Sequence, residues 1–217
     1  MYNQRIIKKV GEEIEKRQRG EPTGHDWFHT YRVFNLGKKI AKVEGADLYV
    51  VELGCLLHDI ADYKFHEGNK EVGPKEAGKL LKEFNADPKT IKIVQEIIRT
   101  MGFGGARNHK PMKTLEGGCV QDADFLDALG AIGIARCFAF GGRKGNPIYD
   151  PEIPPKIDQS KEEYARADHT QLNHFYEKLL LLENHMNTKT GKTLSKERIK
   201  YMKKFLSRFK KEWEGEI

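Results

Sequence analysis

The sequence is short of several things, and each shortage excludes something. No run of roughly 18 or more apolar residues occurs, so no membrane span is expected. There are three cysteines, Cys55, Cys119 and Cys137, an odd set with no close pair. That argues against a disulfide framework and against a cysteine-based structural zinc site, and it points to a reducing, cytoplasmic setting. No segment alternates apolar and polar residues at period two, so nothing reads as a strand. Met1 to Arg19 is charged and has no apolar stretch, which is not the pattern of a secretory signal. Internal repeats and low-complexity tracts are missing as well.

What is present is a chain of 217 residues, 38% apolar and 32% charged, large enough to bury a real core in one large domain. The net charge of +6 has an address. Lys192 to Lys211 carries nine Lys/Arg and one acid, Glu197, which leaves −2 for the rest of the chain. A basic surplus confined to one segment disfavours nucleic acid as the defining partner.

The apolar spacing is helical almost throughout, so the class is all-α. Ile6, Val10 and Ile14 mark a first amphipathic helix ending near Gly20. Phe28, Tyr31, Phe34, Leu36, Ile40 and Val43 mark a second, closed by Gly45. Asp47 is positioned to cap a third, far more apolar helix through Val50, Val51, Leu53, Leu56, Leu57 and Ile60, expected at the centre of the core. Pro74 opens another helix, and Asp87-Pro88 gives the cap and first-turn proline of the next. Met101 to Pro111 reads as a loop, and a helix follows from about Thr114 to Leu129, with Gly130 and Gly133 weakening its continuation. Gly141 to Asp158, with four prolines and three glycines, reads as a long loop of the kind that is usually functional or mobile. Helices over about Glu162 to Met186 and Ser195 to Trp213 finish the chain.

Three clusters carry chemistry. His58-Asp59 ends the most apolar helix, where an imidazole and a carboxylate cost several kcal/mol unless both are satisfied. A histidine bonding a carbonyl at a helix end would also account for that doublet. His25 and His29 open the second helix four residues apart, on one helical face. Asp122, Asp124 and Asp127 lie on a later helix; Asp122 and Asp124 point about 200° apart, whereas Asp124 and Asp127 share a face. Two imidazoles and two carboxylates from buried helices make a mixed N/O site suited to one divalent ion, with positions left for water or a substrate oxygen. Such donors accept Mn²⁺, Ni²⁺, Fe²⁺, Co²⁺ or Mg²⁺ alike.

In the order His…His-Asp…Asp, these residues resemble the signature of the HD-domain metal-dependent phosphohydrolase superfamily. On that resemblance the metal ligands are His29, His58, Asp59 and Asp124; helix geometry alone decides neither His29 over His25 nor Asp124 over Asp122. The stretches GHDWFHTYRV, LLHDIADYKF, VQDADFLDALGAIGIARCF and HFYEKLL with MNTKTGK resemble a branch of small prokaryotic HD hydrolases, some of them nucleoside triphosphate pyrophosphohydrolases. The resemblance implies one HD-type helical domain with a core over about 21–140, the long loop at 141–158 and additional C-terminal helices over about 160–214.

The remaining candidates follow from phosphate chemistry. Asp62 lies four after His58, on the same face if the helix continues, where a carboxylate can orient an attacking water. HD nucleotidases often carry an acid at this offset, usually Glu. Lys64, Arg32, Arg136, Arg99 and His109 are candidate groups to meet phosphate charge, Arg32 because it falls three after His29. His66, Glu67 and His109 offer further donors without telling spacing, so one metal is expected rather than two.

The function expected is hydrolysis of nucleoside triphosphates to monophosphate and pyrophosphate. The alternatives are an HD phosphomonoesterase or phosphodiesterase, an iron-pair oxygenase, and a non-catalytic nucleic-acid or regulatory module built on the last helix. There Met202, Phe205, Leu206, Phe209 and Trp213 form a stripe opposite Lys and Arg, the usual pattern of core packing with a solvated basic face.

Overall fold

The structure is a computed structural model describing residues 2–20, 26–61, 69–101, 110–157 and 170–217. Among them are nine α-helices, one 3₁₀ helix and no strand, so the all-α reading holds. No single helix of the described residues is long and apolar enough to cross a membrane. The helices are α1 (Tyr2–Gln18), α2 (Trp27–Glu44), α3 (Leu48–Leu57), α4 (Val72–Glu83), α5 (Pro88–Thr100), α6 (Leu115–Asp127), α7 (Gly130–Lys144), α8 (Gln171–Glu177) and α9 (Lys189–Trp213), with the 3₁₀ helix at Leu179–His185. They form two compact units, one built from α1–α5 and α6 up to Asp124, the other from Phe125 onward.

In the first unit α3 is the central element, packed against α1, α2 and α5. Asp47 caps it, its carboxylate accepting from the backbone N–H of Tyr49 and Val50. Asp87 caps α5 in the same way through Thr90, with Pro88 in the first turn. The core side chains come from α1 (Ile6, Val10, Ile14), α2 (Val33, Ile40, Ala41), α3 (Val51, Leu53, Leu56, Leu57) and α5 (Ile91, Val94, Ile97). Two glycines set the spacing of this core. A methyl group on Gly37 would lie 2.3 Å from the Cys55 sulfur, and one on Gly54 would lie 2.8 Å from Val120. Backbones therefore approach closely where α2 meets α3 and where α3 meets α6.

Several expected boundaries move. The buried face of α2 is His29, Thr30, Val33, Gly37, Ile40 and Ala41. Phe28, Tyr31 and Val43, expected to line the core, are 60%, 51% and 68% exposed. The true stripe contains a histidine, a threonine and a glycine, which hide its period. α3 ends at Leu57 instead of running through Ile60, with His58 as its C-cap and turns after it. α4 begins at Val72, so Pro74 falls inside its first turn, where a missing N–H is harmless.

In the second unit, α7 runs through Gly141 and Gly142, which had read as loop. Gly141 is small because Gln171 packs on it, at 2.1 Å from an added methyl. The helix stops instead at Gly145, which adopts φ +74° and donates to the carbonyls of Gly141 and Gly142. The long helix expected over Glu162 to Met186 is α8 followed by the 3₁₀ helix, broken at Lys178; residues 158–169 lie outside the described residues. α9 starts at Lys189, six residues earlier than expected, because the Thr188 hydroxyl caps Gly191. Its apolar side, Ile199, Met202 and Leu206, is buried. Phe205, Phe209 and Trp213 join Phe138, Phe175 and Tyr149 in a cluster of ring contacts.

The close approach at Gly37 generates a test. Gly37→Ala should destabilise the protein by about 1–3 kcal/mol, despite alanine's better helix propensity, because the added carbon overpacks the Cys55 sulfur. Adding Cys55→Ala should recover a measurable part of that loss in urea denaturation. Equal stability of Gly37→Ala and the parent would show that the helices separate freely there.

Candidate metal centre

Local sequence brings each donor to one place. Asp26 sits extended before α2, and its carboxylate accepts the His29 N–H at 2.9 Å, so His29 lies in the first turn and its ring is buried. His58 caps the C-terminal end of α3, and its Nδ1 lies 2.8 Å from the Cys55 carbonyl oxygen. That contact assigns the Nδ1 proton to the carbonyl and turns Nε2 inward, where its lone pair is available to a metal once its proton leaves. Asp59 follows in the turn, and Asp124 projects from α6.

The four side chains converge. The two Nε2 atoms of His29 and His58 are 3.1 Å apart. Asp59 Oδ2 lies 3.3 Å from His29 Nε2 and 3.2 Å from His58 Nε2. Asp124 Oδ1 lies 3.5 Å and 3.8 Å from the same nitrogens. His29, His58 and Asp59 alone form a compact three-donor group, and among the described residues no other group of three does. Two donors each about 2.1 Å from one ion stand about 3.0 Å apart at right angles and about 3.4 Å apart at a tetrahedral angle. The nitrogen and Asp59 oxygen separations fall in that range, and the Asp124 oxygen lies just beyond it. These residues fit one divalent ion. The histidine side chains are almost wholly buried, while those of Asp59 and Asp124 are 19% and 29% exposed, so the carboxylates form the open side.

Electrostatics agree with the geometry. Burial opposes a charge on the His58 ring. The Asp59 carboxylate, by its charge and hydrogen bond, outweighs that together with Asp124 and the Cys55 carbonyl, and the pKa rises to about 9. Without a metal, the site stores a proton where the cation belongs. Burial pushes the thiols of Cys119 and Cys137 up to about 12, and that of Cys55 well above its ordinary value. All three are buried neutral thiols.

Not all the candidates come together. Arg136 pairs with the buried carboxylate of Asp127. Arg99 forms a fork on Glu71 at 2.7 and 3.0 Å and also meets Glu96 at 2.8 Å, so both guanidinium groups are held by carboxylates. Arg32 is half-buried on α2, one turn beyond His29. Asp122 is fully buried and outside the donor group. His25, Asp62, Lys64, His66, Glu67 and His109 lie outside the described residues. Because α3 stops at Leu57, the helical register that would return Asp62 to the His58 face is not present over 58–61.

Sequence reasoning missed Gln18. It is buried at the end of α1, accepts the Thr30 hydroxyl at 2.7 Å and lies 3.5 Å from the Asp59 carbonyl oxygen through its amide nitrogen. It thus ties the residue beside His29 to the backbone of Asp59. The signal was available: Ile6, Val10 and Ile14 recur every four residues, and the next position in that stripe is polar.

Comparison with known proteins places this geometry. The HD domain family model matches residues 27–129, a span that contains all four donors. The YpgQ protein of Bacillus subtilis is 37% identical over 197 residues, covering 90% of this chain and 87% of that one. A crystal structure of YpgQ in complex with ADP superposes with a TM-score of 0.73 at 31% identity, covering 95% of this chain and 97% of that chain. A Lactobacillus plantarum protein gives a TM-score of 0.83 at 35% identity over 97% of both chains. A Bacillus thuringiensis HD-superfamily hydrolase gives 0.77 at 38% identity over 98% of both. With this likeness along nearly its whole length, the chain belongs to the HD-domain superfamily of metal-dependent phosphohydrolases.

Proposed function

We propose that the chain hydrolyses nucleoside triphosphates to monophosphate and pyrophosphate, with one divalent ion held by His29, His58, Asp59 and Asp124. The observation that carries the reading is the approach of two buried imidazole nitrogens to 3.1 Å with two carboxylates beside them. A nucleotide substrate is supported by the similar protein crystallised with ADP and by the resemblance to pyrophosphohydrolases along the motif stretches.

A bound divalent ion supplies Lewis acidity, drawing charge from a phosphoryl oxygen and making a nearby water a better nucleophile. The chain's own residues do the rest. The Cys55 carbonyl holds His58 in one tautomer, and Gln18 fixes the backbone that carries Asp59. Asp59 and Asp124 hold negative charge at the open side, which favours the cation over the stored proton. On the resemblance alone, not on helical register, Asp62 is the group assigned to orient the attacking water; Lys64 and Arg32 are those assigned to offset the charge that develops on the phosphates. Arg136, Arg99 and His109 receive no role, the first two because carboxylates already hold them.

Purified protein supplied with Mn²⁺, Mg²⁺ or Ni²⁺ should release pyrophosphate and monophosphate from nucleoside triphosphates, and chelation should abolish the reaction until metal returns. His58→Ala and Asp124→Ala should each lower kcat/KM by about a hundredfold or more. Release of inorganic phosphate alone, or turnover only of diesters, would refute the assignment of substrate.

The stored proton predicts how binding depends on pH. Entry of Mn²⁺ must displace the His58 proton, so apparent affinity should rise about tenfold per pH unit from 6.5 to 8, below the pKa of about 9. Calorimetry in buffers of different ionisation enthalpy should detect about one proton released per ion at pH 7.5. In the metal-free protein the raised pKa adds stability that is full below about 6.5 and is lost as pH climbs through about 9. Its melting temperature should therefore fall over that interval. Binding without proton release would mean that His58 is neutral in the free protein.

A further inference from the structure

A groove of about 860 Å³ runs along α9 where it passes the 3₁₀ helix. Lys196, Lys200, Lys203, Lys204, Arg208 and Lys211 line it over a small apolar floor that includes Ile199 and Ile217, with Glu183 as the one acidic side chain. These cations span sixteen residues of one helix, fifteen steps or about 22 Å. Arg208 pairs with Glu212. Lys196, Lys200, Lys203, Lys204 and Lys211 are all exposed, and among the described residues none of them has a carboxylate within ion-pair distance. Some cations elsewhere are neutralised locally: Lys8 and Arg17 on α1, and Arg19 just after it, each meet a glutamate four residues away, and on α5 Arg99 meets two.

Unpaired lysines at this spacing work against the helix. Lys196, Lys200 and Lys204 succeed one another at four-residue intervals, an arrangement of like charges that destabilises a helix. Burial of Ile199, Met202 and Leu206 holds α9 in place nonetheless, so the ammonium groups are presented along a fixed line. We propose that this groove binds the phosphate backbone of double-stranded nucleic acid without regard to sequence, a function separate from hydrolysis.

The lining selects that occupant. A membrane-surface helix needs its apolar side free to enter the bilayer, and here that side is packed in the core. Protein interfaces are depleted of lysine and rich in aromatic residues and arginine, and this groove has five lysines and no aromatic ring. Single-strand sites stack bases on aromatic rings, which are equally missing from the lining. Lysine as a point charge, with the Ser207 hydroxyl beside it, suits backbone phosphates.

The test is fluorescence anisotropy of a labelled 20-base-pair duplex with the full chain between 50 and 200 mM KCl. Five neutralised phosphates give a slope of log K against log salt of about −4.5, an affinity loss of about five-hundredfold over that range. Lys200→Gln, Lys203→Gln and Lys204→Gln together should reduce the slope to about −1.8 while circular dichroism and hydrolysis are unchanged. The corresponding triple arginine variant should retain the slope. Absence of duplex binding at 50 mM KCl would overturn the proposal, as would binding that the triple glutamine variant leaves intact. Retention on phosphatidylserine vesicles without duplex binding would overturn it in favour of a membrane surface.

Discussion

Two buried imidazole nitrogens rest 3.1 Å apart with two carboxylates beside them, a concentration of lone pairs and negative charge that calls for a positive partner. That constraint governs the first unit. Both rings are nearly inaccessible to water, so neither can be satisfied by solvent. The positive charge is either a proton on His58, drawn there by Asp59 and Asp124, or a divalent ion that replaces it. Ordinary surface histidines carry no such demand. Here the fold has placed them where a cation can take the place of that proton, and the mixed N/O donor set admits most first-row divalent ions.

The surrounding structure can be understood as what holds that crowding in place. α2 starts at Trp27 because Asp26 binds the His29 amide, which locates the first ring to within a fraction of a turn. α3 ends at Leu57 with His58, still at helical dihedrals, as its C-cap; Asp59 follows in a turn, and that turn brings its carboxylate back to the His58 ring. Gly37 and Gly54 let α2 and α6 come close to α3, where a methyl at either position would push the helices apart. Gln18 closes the arrangement from α1 by joining Thr30 to the Asp59 backbone. Each device is a single residue directed at the same few atoms.

This explains which parts were legible in the sequence. The α3 core, its Asp47 cap and the Asp87-Pro88 start were readable because one strong local signal coincides with one physical event. The buried face of α2 was not. Its core side is made of His29, Thr30 and Gly37 as much as of Val33 and Ile40, so a hydrophobicity rule selected the exposed Phe28 and Tyr31 instead. Glycines misled in the opposite sense: Gly141 looked like a chain break and is a packing position against Gln171. For the site, residue types and order pointed to a metal and a superfamily. The choice among neighbouring histidines and aspartates rested on resemblance, because side-chain direction at a helix end depends on a cap and a stop that spacing alone does not encode. Gln18 was hidden for the same reason, as one polar residue in an apolar stripe whose partners lie 12 and 41 positions away.

Charge follows a corresponding logic. In the metal centre, negative groups outnumber positive ones until a cation arrives, and the imbalance is the source of affinity for it. The α9 groove is the inverse case, with five exposed ammonium groups, one acidic side chain, Glu183, and no ion pair to any of the five among the described residues. Both are local departures from neutrality, unlike the carboxylate pairs made by Arg17, Arg99 and Arg136. A departure of either sign is tolerated only because hydrophobic burial supplies the stability that the unbalanced charge removes: α3 in one unit, Ile199, Met202 and Leu206 in the other. The apolar faces of these helices carry the fold, and their polar ends and outer faces are thereby free to be arranged for ligands.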